Sequence, residues 1–200
     1  HEKGAFTGAH DRRTGAELWR RRTIAAPGEP NGDSWGDLPD EARWHVGSWL
    51  VPSYDSELDL VLAGTSGTSP APKFALAGDE HAYLYHNSTL ALDADTGEIV
   101  WYYQHIVDHW DLDHPFERLL VDTAVTPDAS AVAWINPRLR PGERRKVVTG
   151  IPGKTGIVYT LERATGEFLW ARPTVEQNVV RAIDGVTGEV EVNPDTLFVE

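Results

Sequence analysis

The sequence predicts an all-β fold built from repeated strand–turn–strand units, and three observations support this prediction. One motif with fixed Gly and Trp positions recurs, short β-rich runs alternate with turn residues, and no stretch has a long helical period of apolar residues. Many short strands with aromatic residues near the turns are typical of a β-propeller or a β-sandwich. The repeated Trp and Gly positions favour the propeller.

The recurring motif places an acidic residue four positions before a glycine and a tryptophan four positions after it. The copies are 9–19, 91–101, 160–170 and 182–190, each with its acid at the third position, and the last copy lacks the tryptophan. The acid can hydrogen-bond to local main chain, and the glycine supplies the positive φ that a hairpin turn needs. A single copy would indicate no more than a hairpin. Four copies indicate a repeat, in which the tryptophan packs between neighbouring units.

The remaining elements follow from short apolar or alternating runs bounded by turn residues. We predict strands within the ranges 58–63, 83–85, 88–92, 99–103, 131–135, 156–161 and 168–171. Turn signals separate them, among them Asn136-Pro137 and Pro152-Gly153. Because helical periodicity is absent, we expect few helices.

Composition sets the outer limits of function. The net charge of −13 argues against nucleic acid or an anionic membrane surface as the main partner. The basic run 138–146 flanks Pro141-Gly142 and is interpreted as a solvated loop. The sequence contains no run of 18 apolar residues, so it predicts no membrane-spanning helix. The absence of cysteine excludes disulfides and thiolate ligands within these 200 residues.

The chain contains no methionine, and both of its ends lie inside repeat-like sequence. We therefore expect residues 1–200 to be an internal part of a single longer propeller domain, incomplete at both ends.

A pair of carboxylates ends the segment that follows the second repeat. Asp111 and Asp113 are two residues apart beside Trp110, and in an extended segment such residues project to one face and can enter one cavity. His105, His109 and His114 lie among Asp108, Asp111 and Asp113, and together they superficially suggest a zinc or iron site. The spacing lacks the helical HExxH form, which argues against a transition-metal hydrolase.

Several motifs, taken in order, resemble the pyrroloquinoline quinone (PQQ)-dependent alcohol dehydrogenases. The segments are Trp49 with Ser53-Tyr54-Asp55-Ser56-Glu57-Leu58, the run Gly64-Thr65-Ser66-Gly67-Thr68-Ser69-Pro70-Ala71-Pro72, Ser88-Thr89-Leu90-Ala91-Leu92-Asp93, Tyr103-Gln104 with Asp108-His109-Trp110-Asp111, and Gly153-Lys154-Thr155-Gly156 leading into Tyr159. The resemblance covers nearly the whole chain. It implies about three blades of an eight-bladed β-propeller with tryptophan-docking repeats.

The resemblance also implies roles for three side chains. Trp49 matches the tryptophan on which the flat quinone stacks, although an average tryptophan is more often a core residue. Asp111 matches the catalytic base that accepts the proton of the substrate hydroxyl. Lys154 matches the cation that hydrogen-bonds the quinone oxygens, and composition alone would make it a solvated turn lysine.

A metal ion is implied as the Lewis acid of the same site, with Asp111, Asp113, Ser69 and Glu2 as its ligands. An acid at position 113 resembles the lanthanide-using branch, whereas calcium-using members tend to have an uncharged residue there. Alternatively, Asp113 caps a turn before His114-Pro115. Ser69 stands where the family commonly has an asparagine, and Glu2 is closer to the first repeat than is usual.

The function implied is oxidation of an alcohol or aldehyde by hydride transfer to PQQ, with calcium or a lanthanide as the metal. Electrons would pass to a cytochrome c-type acceptor, and the location would be periplasmic. Two alternatives stay open: a non-catalytic propeller that acts as an assembly scaffold, and a sugar- or polymer-binding propeller in which Asp111 and Asp113 hold a structural calcium.

Overall fold

The structure is a computed structural model and describes residues 5–43, 45–69 and 81–197. These residues form antiparallel strands and three short 3₁₀ turns, at Gly32–Trp35, Asp40–Ala42 and Pro194–Thr196. The strands are β1 Phe6–His10, β2 Glu17–Arg22, β3 His45–Val46, β4 Ser53–Asp55, β5 Leu60–Gly64, β6 Thr68–Ser69, β7 Ser88–Asp93, β8 Ile99–Gln104, β9 Leu119–Val125, β10 Trp134–Ile135, β11 Glu143–Gly150, β12 Ile157–Glu162, β13 Phe168–Pro173, β14 Val180–Ile183 and β15 Val190–Val192. The predicted all-β class, with few helices, is confirmed.

Two sheets dominate the described part of the chain. The first blade is the four-stranded meander β4-β5-β7-β8, and the second blade is the meander β9-β11-β12-β13 with β10 at its outer edge. Two further hairpins, β1-β2 and β14-β15, precede and follow these blades. Leu62 and Ala91 from the first blade and Leu161 from the second belong to one buried apolar cluster, which joins the two sheets face to face.

The repeated motif forms the predicted hairpin turns. Gly15, Gly97, Gly166 and Gly188 all have φ between 73° and 78°. In each turn the glycine N–H donates to the carbonyl of the acidic residue at a distance of 2.8 Å. Three of these acids also accept main-chain N–H groups through their carboxylates, as Asp93 does from Asp95 and Thr96. Only a residue that tolerates positive φ fits the glycine position.

Two repeat tryptophans dock on the glycine of the next repeat. The indole of Trp19 lies against Gly97, where an added Cβ would come within 2.5 Å of the ring, and Trp101 lies in the same way against Gly166 at 2.6 Å. The indole N–H of Trp19 donates to the carbonyl of Ala94 at 2.8 Å, and that of Trp101 donates to Arg163 at 3.1 Å. This docking fixes each hairpin against the next. The fourth glycine, Gly188, is instead approached by Tyr103 and Phe168.

Some predicted elements differ from the structure. The range 83–85 is a turn and not a strand, and only the last two residues of 131–135 are extended. The basic run, predicted as a loop, contributes its second half to β11, where Arg145 pairs with Glu162 and Glu167. The first four residues of β11 are charged, so its apolar pattern was too weak to indicate a strand.

A buried ion pair also links the two blades. Arg163, 5% exposed at the end of β12, lies with Nε 2.6 Å from Oδ2 of Asp55, which is 4% exposed at the end of β4. Its terminal nitrogen also contacts Asp122 of β9 at 2.7 Å. Within the described ranges no helix is long and apolar enough to cross a membrane.

Candidate functional site

An open cavity of about 480 Å³ lies where the loops of the first blade meet the segment that follows β8. Its lining consists of polar, acidic and aromatic side chains: His45, Trp49, Ser66, Gly67, Thr68, Ser69, Trp110, Asp111 and Asp113. Trp49, Ser69, Asp111 and Asp113 were singled out from the sequence, and the fold brings them to this one cavity although they are distant along the chain.

Trp49 is held beside Ser69 by a short ladder. Strands β3 and β6 pair His45 with Ser69 and Val46 with Thr68. The indole of Trp49 lies close to Gly47, where an added Cβ would come within 2.7 Å of the ring. The side chain nevertheless stays 58% exposed. A large aromatic surface that is supported from beneath and open to a cavity suits the stacking of a flat ligand.

Asp111, Asp113 and Lys154 form a charged group at the cavity. The Lys154 Nζ lies 2.6 Å from Oδ2 of Asp113 and 3.3 Å from Oδ2 of Asp111. The side chain of Asp113 is only 14% exposed, whereas that of Asp111 is 69% exposed. The hydrogen bond from Lys154 to Asp113 raises the pKa of Lys154, so the lysine remains an ammonium cation at neutral pH. Asp111 is therefore the carboxylate accessible to a ligand.

The Lys154 loop is fixed to the acidic segment by its main chain as well. The N–H of Lys154 donates to the carbonyl of Asp113 at 3.0 Å. At Gly153, an added Cβ would come within 2.3 Å of that carbonyl oxygen and within 2.4 Å of the His114 ring. On the other side of Lys154, the hydroxyl of Thr155 lies 3.2 Å from Nε2 of His114. The lysine is thereby held at its place by contacts on both sides.

A buried polar layer lies beneath the site. The rings of His105 and His114 stack at 5.1 Å with an interplanar angle of 6°. Burial lowers the pKa of His105 well below its usual value, lowers that of His114 to about 3 and lowers that of Arg118 to about 9. The hydroxyl of Thr89 joins this layer, since it lies 2.8 Å from Nε2 of His105 and accepts from Arg118 Nε at 2.9 Å. Both imidazoles are neutral at physiological pH, so they support the site without adding charge.

Sequence reasoning did not assign a role to Asp108, which the structure places directly behind the carboxylate pair. Asp108 is 4% exposed, and its carboxylate accepts the N–H groups of Trp110 and Leu112, each at 2.7 Å. The sequence contained one signal: Asp108 lies two residues before Trp110 and four residues before Leu112, the two residues that flank Asp111. That spacing is compatible with a local turn and is common enough to be overlooked.

The residues present fit a hard cation in part. The Oδ2 atoms of Asp111 and Asp113 both approach one point, at which the Lys154 ammonium lies. Ser69 lines the same cavity. Among residues 5–43, 45–69 and 81–197, no three His, Asp or Glu side chains are grouped closely enough to hold a metal, and the predicted ligand Glu2 and Pro70-Ala71-Pro72 lie outside these ranges. Two carboxylates and a hydroxyl are suitable oxygen ligands that need at least one more from elsewhere.

Known proteins are similar in sequence to nearly the whole chain. The family profile described as the glucose/ethanol/alcohol dehydrogenase β-propeller domain, a PQQ profile, matches residues 1–193. Quinohemoprotein alcohol dehydrogenase ADH-IIG of Pseudomonas putida is 31% identical over 199 residues, which are 92% of this chain and 25% of that protein. Lupanine 17-hydroxylase [cytochrome c] of a Pseudomonas species is 30% identical over 90% of this chain and 25% of its own length. The chain thus spans about a quarter of the length of these curated relatives.

Solved structures of similar proteins share the fold. Quinohemoprotein alcohol dehydrogenase ADHIIG from Pseudomonas putida HK5 superposes with a TM-score of 0.76 at 27% identity, over 97% of this chain and 28% of that one. A europium-containing methanol dehydrogenase has a TM-score of 0.78 at 23% identity, over 96% of this chain and 33% of that one, a likeness in fold alone. The predicted β-propeller architecture is confirmed by these matches.

Proposed function

Because the chain belongs to the glucose/ethanol/alcohol dehydrogenase β-propeller family of PQQ proteins, we propose that it provides the quinone platform and the proton acceptor for alcohol oxidation. The observation that supports this most is the single cavity shared by an exposed indole, Trp49, and an accessible carboxylate, Asp111. A scaffold propeller has no use for that combination. When bound, PQQ would supply the acceptor for the hydride of the alcohol carbon.

Each side chain has a distinct task in this proposal. Trp49 binds one face of the quinone, since a planar ring gains dispersion and buried area on an indole. Asp111 accepts the proton of the substrate hydroxyl, because its carboxylate is the one that reaches open space in the cavity. Lys154 contacts both carboxylates and supplies a positive charge beside Asp111 for the oxygens of an electron-rich ligand.

The proposal includes a hard metal ion held by Asp111 and Asp113, with Ser69 and Glu2 as further oxygen donors. The two carboxylates approach one point closely enough to share a cation, which supports this choice. A metal ion bound there would displace the Lys154 ammonium that lies at that point. An ion with a higher charge gains more from a second carboxylate, so Asp113 favours a lanthanide over calcium. When bound, the ion would supply Lewis-acid polarisation of a carbonyl oxygen.

The finer features of the proposal concern the whole protein. The substrate class is an alcohol or aldehyde, and the electrons are passed to a cytochrome c-type acceptor. The names of two relatives refer to haem or to cytochrome c, which supports such an acceptor. We propose the periplasm as its location, as the resemblance to the PQQ-dependent alcohol dehydrogenases implies.

Cofactor uptake by the complete natural polypeptide that contains these residues tests the proposal. The protein is titrated with PQQ in the presence of calcium or lanthanum, and quenching of tryptophan fluorescence reports binding. We expect saturable quenching, with a higher affinity for PQQ in the presence of lanthanum than in the presence of calcium. In Asp113→Ala the two affinities should become equal. An equal affinity with both metals contradicts the lanthanide assignment. Failure to bind PQQ with either metal overturns the enzyme proposal and favours the scaffold.

An alternative with a specific observation in its favour is a polymer-binding propeller with a structural calcium. The same Asp111 and Asp113 pair supports it, since two carboxylates suit calcium without any cofactor. In that case calcium would raise the thermal midpoint of the wild type, and Asp111→Asn would lower it. In the enzyme, Asp111→Asn would lower turnover while the midpoint changes little.

A further inference from the structure

Asp108 is a buried carboxylate three residues before the proposed proton acceptor. Its Oδ1 accepts the N–H of Trp110, and its Oδ2 accepts the N–H of Leu112, both at 2.7 Å. We propose that Asp108 is a positioning residue, whose carboxylate folds the segment 108–113 so that Asp111 and Asp113 approach the same cation. This inference rests on the function proposed above for Asp111.

Asp108 is in turn held by two consecutive residues of the turn before β7. The main-chain N–H of Asp108 donates to Nε2 of His86 at 2.9 Å, and the side-chain amide of Asn87 donates to Oδ2 of Asp108 at 2.9 Å. Both His86 and Asn87 are 0% exposed. The ring of His86 is oriented by Nδ1, which lies 2.9 Å from the carbonyl of Tyr83. Asp108 is therefore tied to the buried turn before β7 as well as to the loop that it shapes.

The acidic segment depends on this anchor because no sheet supports it. Residues 105–118, all of them described, contain no strand. The amides of Trp110 and Leu112 both turn to one carboxylate, which bends the segment so that the side chains of Asp111 and Asp113 line the cavity beside Trp110. The sequence predicted the same convergence from an extended segment. In the structure it arises from a side chain that takes the place of a strand partner.

Gly67 closes the arrangement from the opposite side. Its N–H donates to Oδ1 of Asp113 at 3.0 Å, and an added Cβ at this position would lie 2.8 Å from Oδ2 of Asp108. One glycine therefore contacts both the anchor and one of the carboxylates that the anchor directs. The gap between Asp108 and β6 is too narrow for a side chain, which leaves Asp108 little freedom to move.

An isosteric amide distinguishes a charge-dependent anchor from a space-filling residue. In Asp108→Asn one oxygen is replaced by an NH₂ group, which cannot accept a hydrogen bond. Three N–H groups, from Trp110, Leu112 and Asn87, then face a side chain with one acceptor oxygen, so at least one buried donor loses its partner. The matched control is Asp128→Asn, since Asp128 accepts the N–H of Ser130 two residues on, at 2.8 Å, in an exposed turn.

The test uses the complete natural polypeptide and two readouts. Hydrogen exchange followed by mass spectrometry reports the amides of the segment 108–113, and steady-state kinetics separate kcat from KM. In Asp108→Asn we expect faster exchange at Trp110 and Leu112 and a loss in kcat of about 100-fold with KM nearly unchanged, because a misplacement of about 1 Å has such an effect. Asp128→Asn should match the wild type in both readouts.

The outcomes separate this inference from the proposed function. Unchanged exchange in Asp108→Asn, or faster exchange with unchanged kcat, overturns the positioning role. If the wild type has no PQQ-dependent turnover, the proposed function fails. The hydrogen-exchange measurement still decides in that case whether Asp108 shapes the segment 108–113. If Asp108→Asn does not fold, Asn87→Gly removes one donor and still permits the φ of 48° at that position. A smaller change in the same direction supports the role, and wild-type exchange in Asn87→Gly overturns it.

Discussion

The Lys154 ammonium lies 2.6 Å from Oδ2 of Asp113, and the N–H of the same lysine donates to the Asp113 carbonyl at 3.0 Å. Two segments that are 41 residues apart are therefore joined by both side chain and main chain. The distance of 3.3 Å from Nζ to Oδ2 of Asp111 extends this contact to the proposed proton acceptor. The positive charge at the cavity is thus supplied by the chain itself, on a side chain that two loops hold in place.

Removal of this charge should impair turnover more than stability. We expect Lys154→Met to lower kcat about 100-fold, as does the loss of one charge-stabilising donor in other active sites. The matched control is Lys146→Met, because the side chain of Lys146 is 38% exposed and that of Lys154 is 40% exposed. Lys146 lies on β11 and pairs with Glu57, away from the cavity. Dye-linked kinetics on both variants check the prediction. Equal activities would contradict a role for Lys154 in the site.

Loss of the exposed indole should weaken cofactor binding. We expect Trp49→Ala to raise the Kd for PQQ about 10- to 100-fold, because stacking of an aromatic ring and its buried area contribute roughly 1–3 kcal/mol. Tyr54→Ala serves as the control, since Tyr54 is an equally exposed aromatic residue (56% against 58%) outside the cavity lining. Equilibrium dialysis with PQQ measures both constants. A Trp49→Ala protein with wild-type affinity would exclude stacking at this residue.

The tryptophan docking predicts a difference between two glycines of the same motif. Gly15 and Gly166 share a φ of 74°, but an added Cβ meets nothing within 4 Å at Gly15 and lies 2.6 Å from Trp101 at Gly166. Gly15→Ala should cost about 1–2 kcal/mol in unfolding free energy from backbone strain alone. Gly166→Ala should cost about 1–3 kcal/mol more, because the indole must move. Denaturant unfolding compares them, and equal losses would argue against docking.

The histidine stack predicts acid sensitivity. Burial lowers the pKa of His105, so the folded protein keeps this ring neutral while the unfolded chain takes up a proton near pH 6.5. The unfolded state then binds more protons below that pH, and stability falls as the pH drops, by about 1.4 kcal/mol per pH unit for each such histidine. In His105→Gln the slope between pH 6 and pH 5 should be smaller by about that amount. An unchanged slope in denaturant titrations would contradict this assignment.

The fold could be predicted because its turns are encoded locally. An acid, a glycine and a tryptophan at fixed spacing define both the positive φ of Gly97 and the docking of Trp19 on it, so the repeat alone indicated hairpins packed in series. Strand β11 was not predicted, because its first half is a charged run in which Arg145 and Lys146 form ion pairs and present no apolar face. That charged run belongs to a strand because β11 pairs with β9 and β12, and such pairing with distant segments cannot be read from the local sequence.

The site was predictable only in its outermost residues. The resemblance singled out Trp49, Asp111, Asp113 and Lys154, and the structure brings all four to one cavity or into contact with its lining. Asp108 belongs to one of the motifs that carry the resemblance but received no role, because its contacts include Asn87, a residue 21 positions away in a turn. A buried carboxylate becomes recognisable as an anchor only when its donors are known.

The central claim, that this chain supplies the base of a PQQ-dependent alcohol oxidation, is tested most directly by one comparison of turnover. The complete natural polypeptide and its Asp111→Asn variant are reconstituted with PQQ and lanthanum or calcium, and dye-linked oxidation is followed over a panel of alcohols. We predict turnover by the wild type and a loss of at least about 100-fold in kcat in the variant, with PQQ still bound. Full activity in Asp111→Asn, or a wild type that binds PQQ and oxidises no alcohol, would contradict the account.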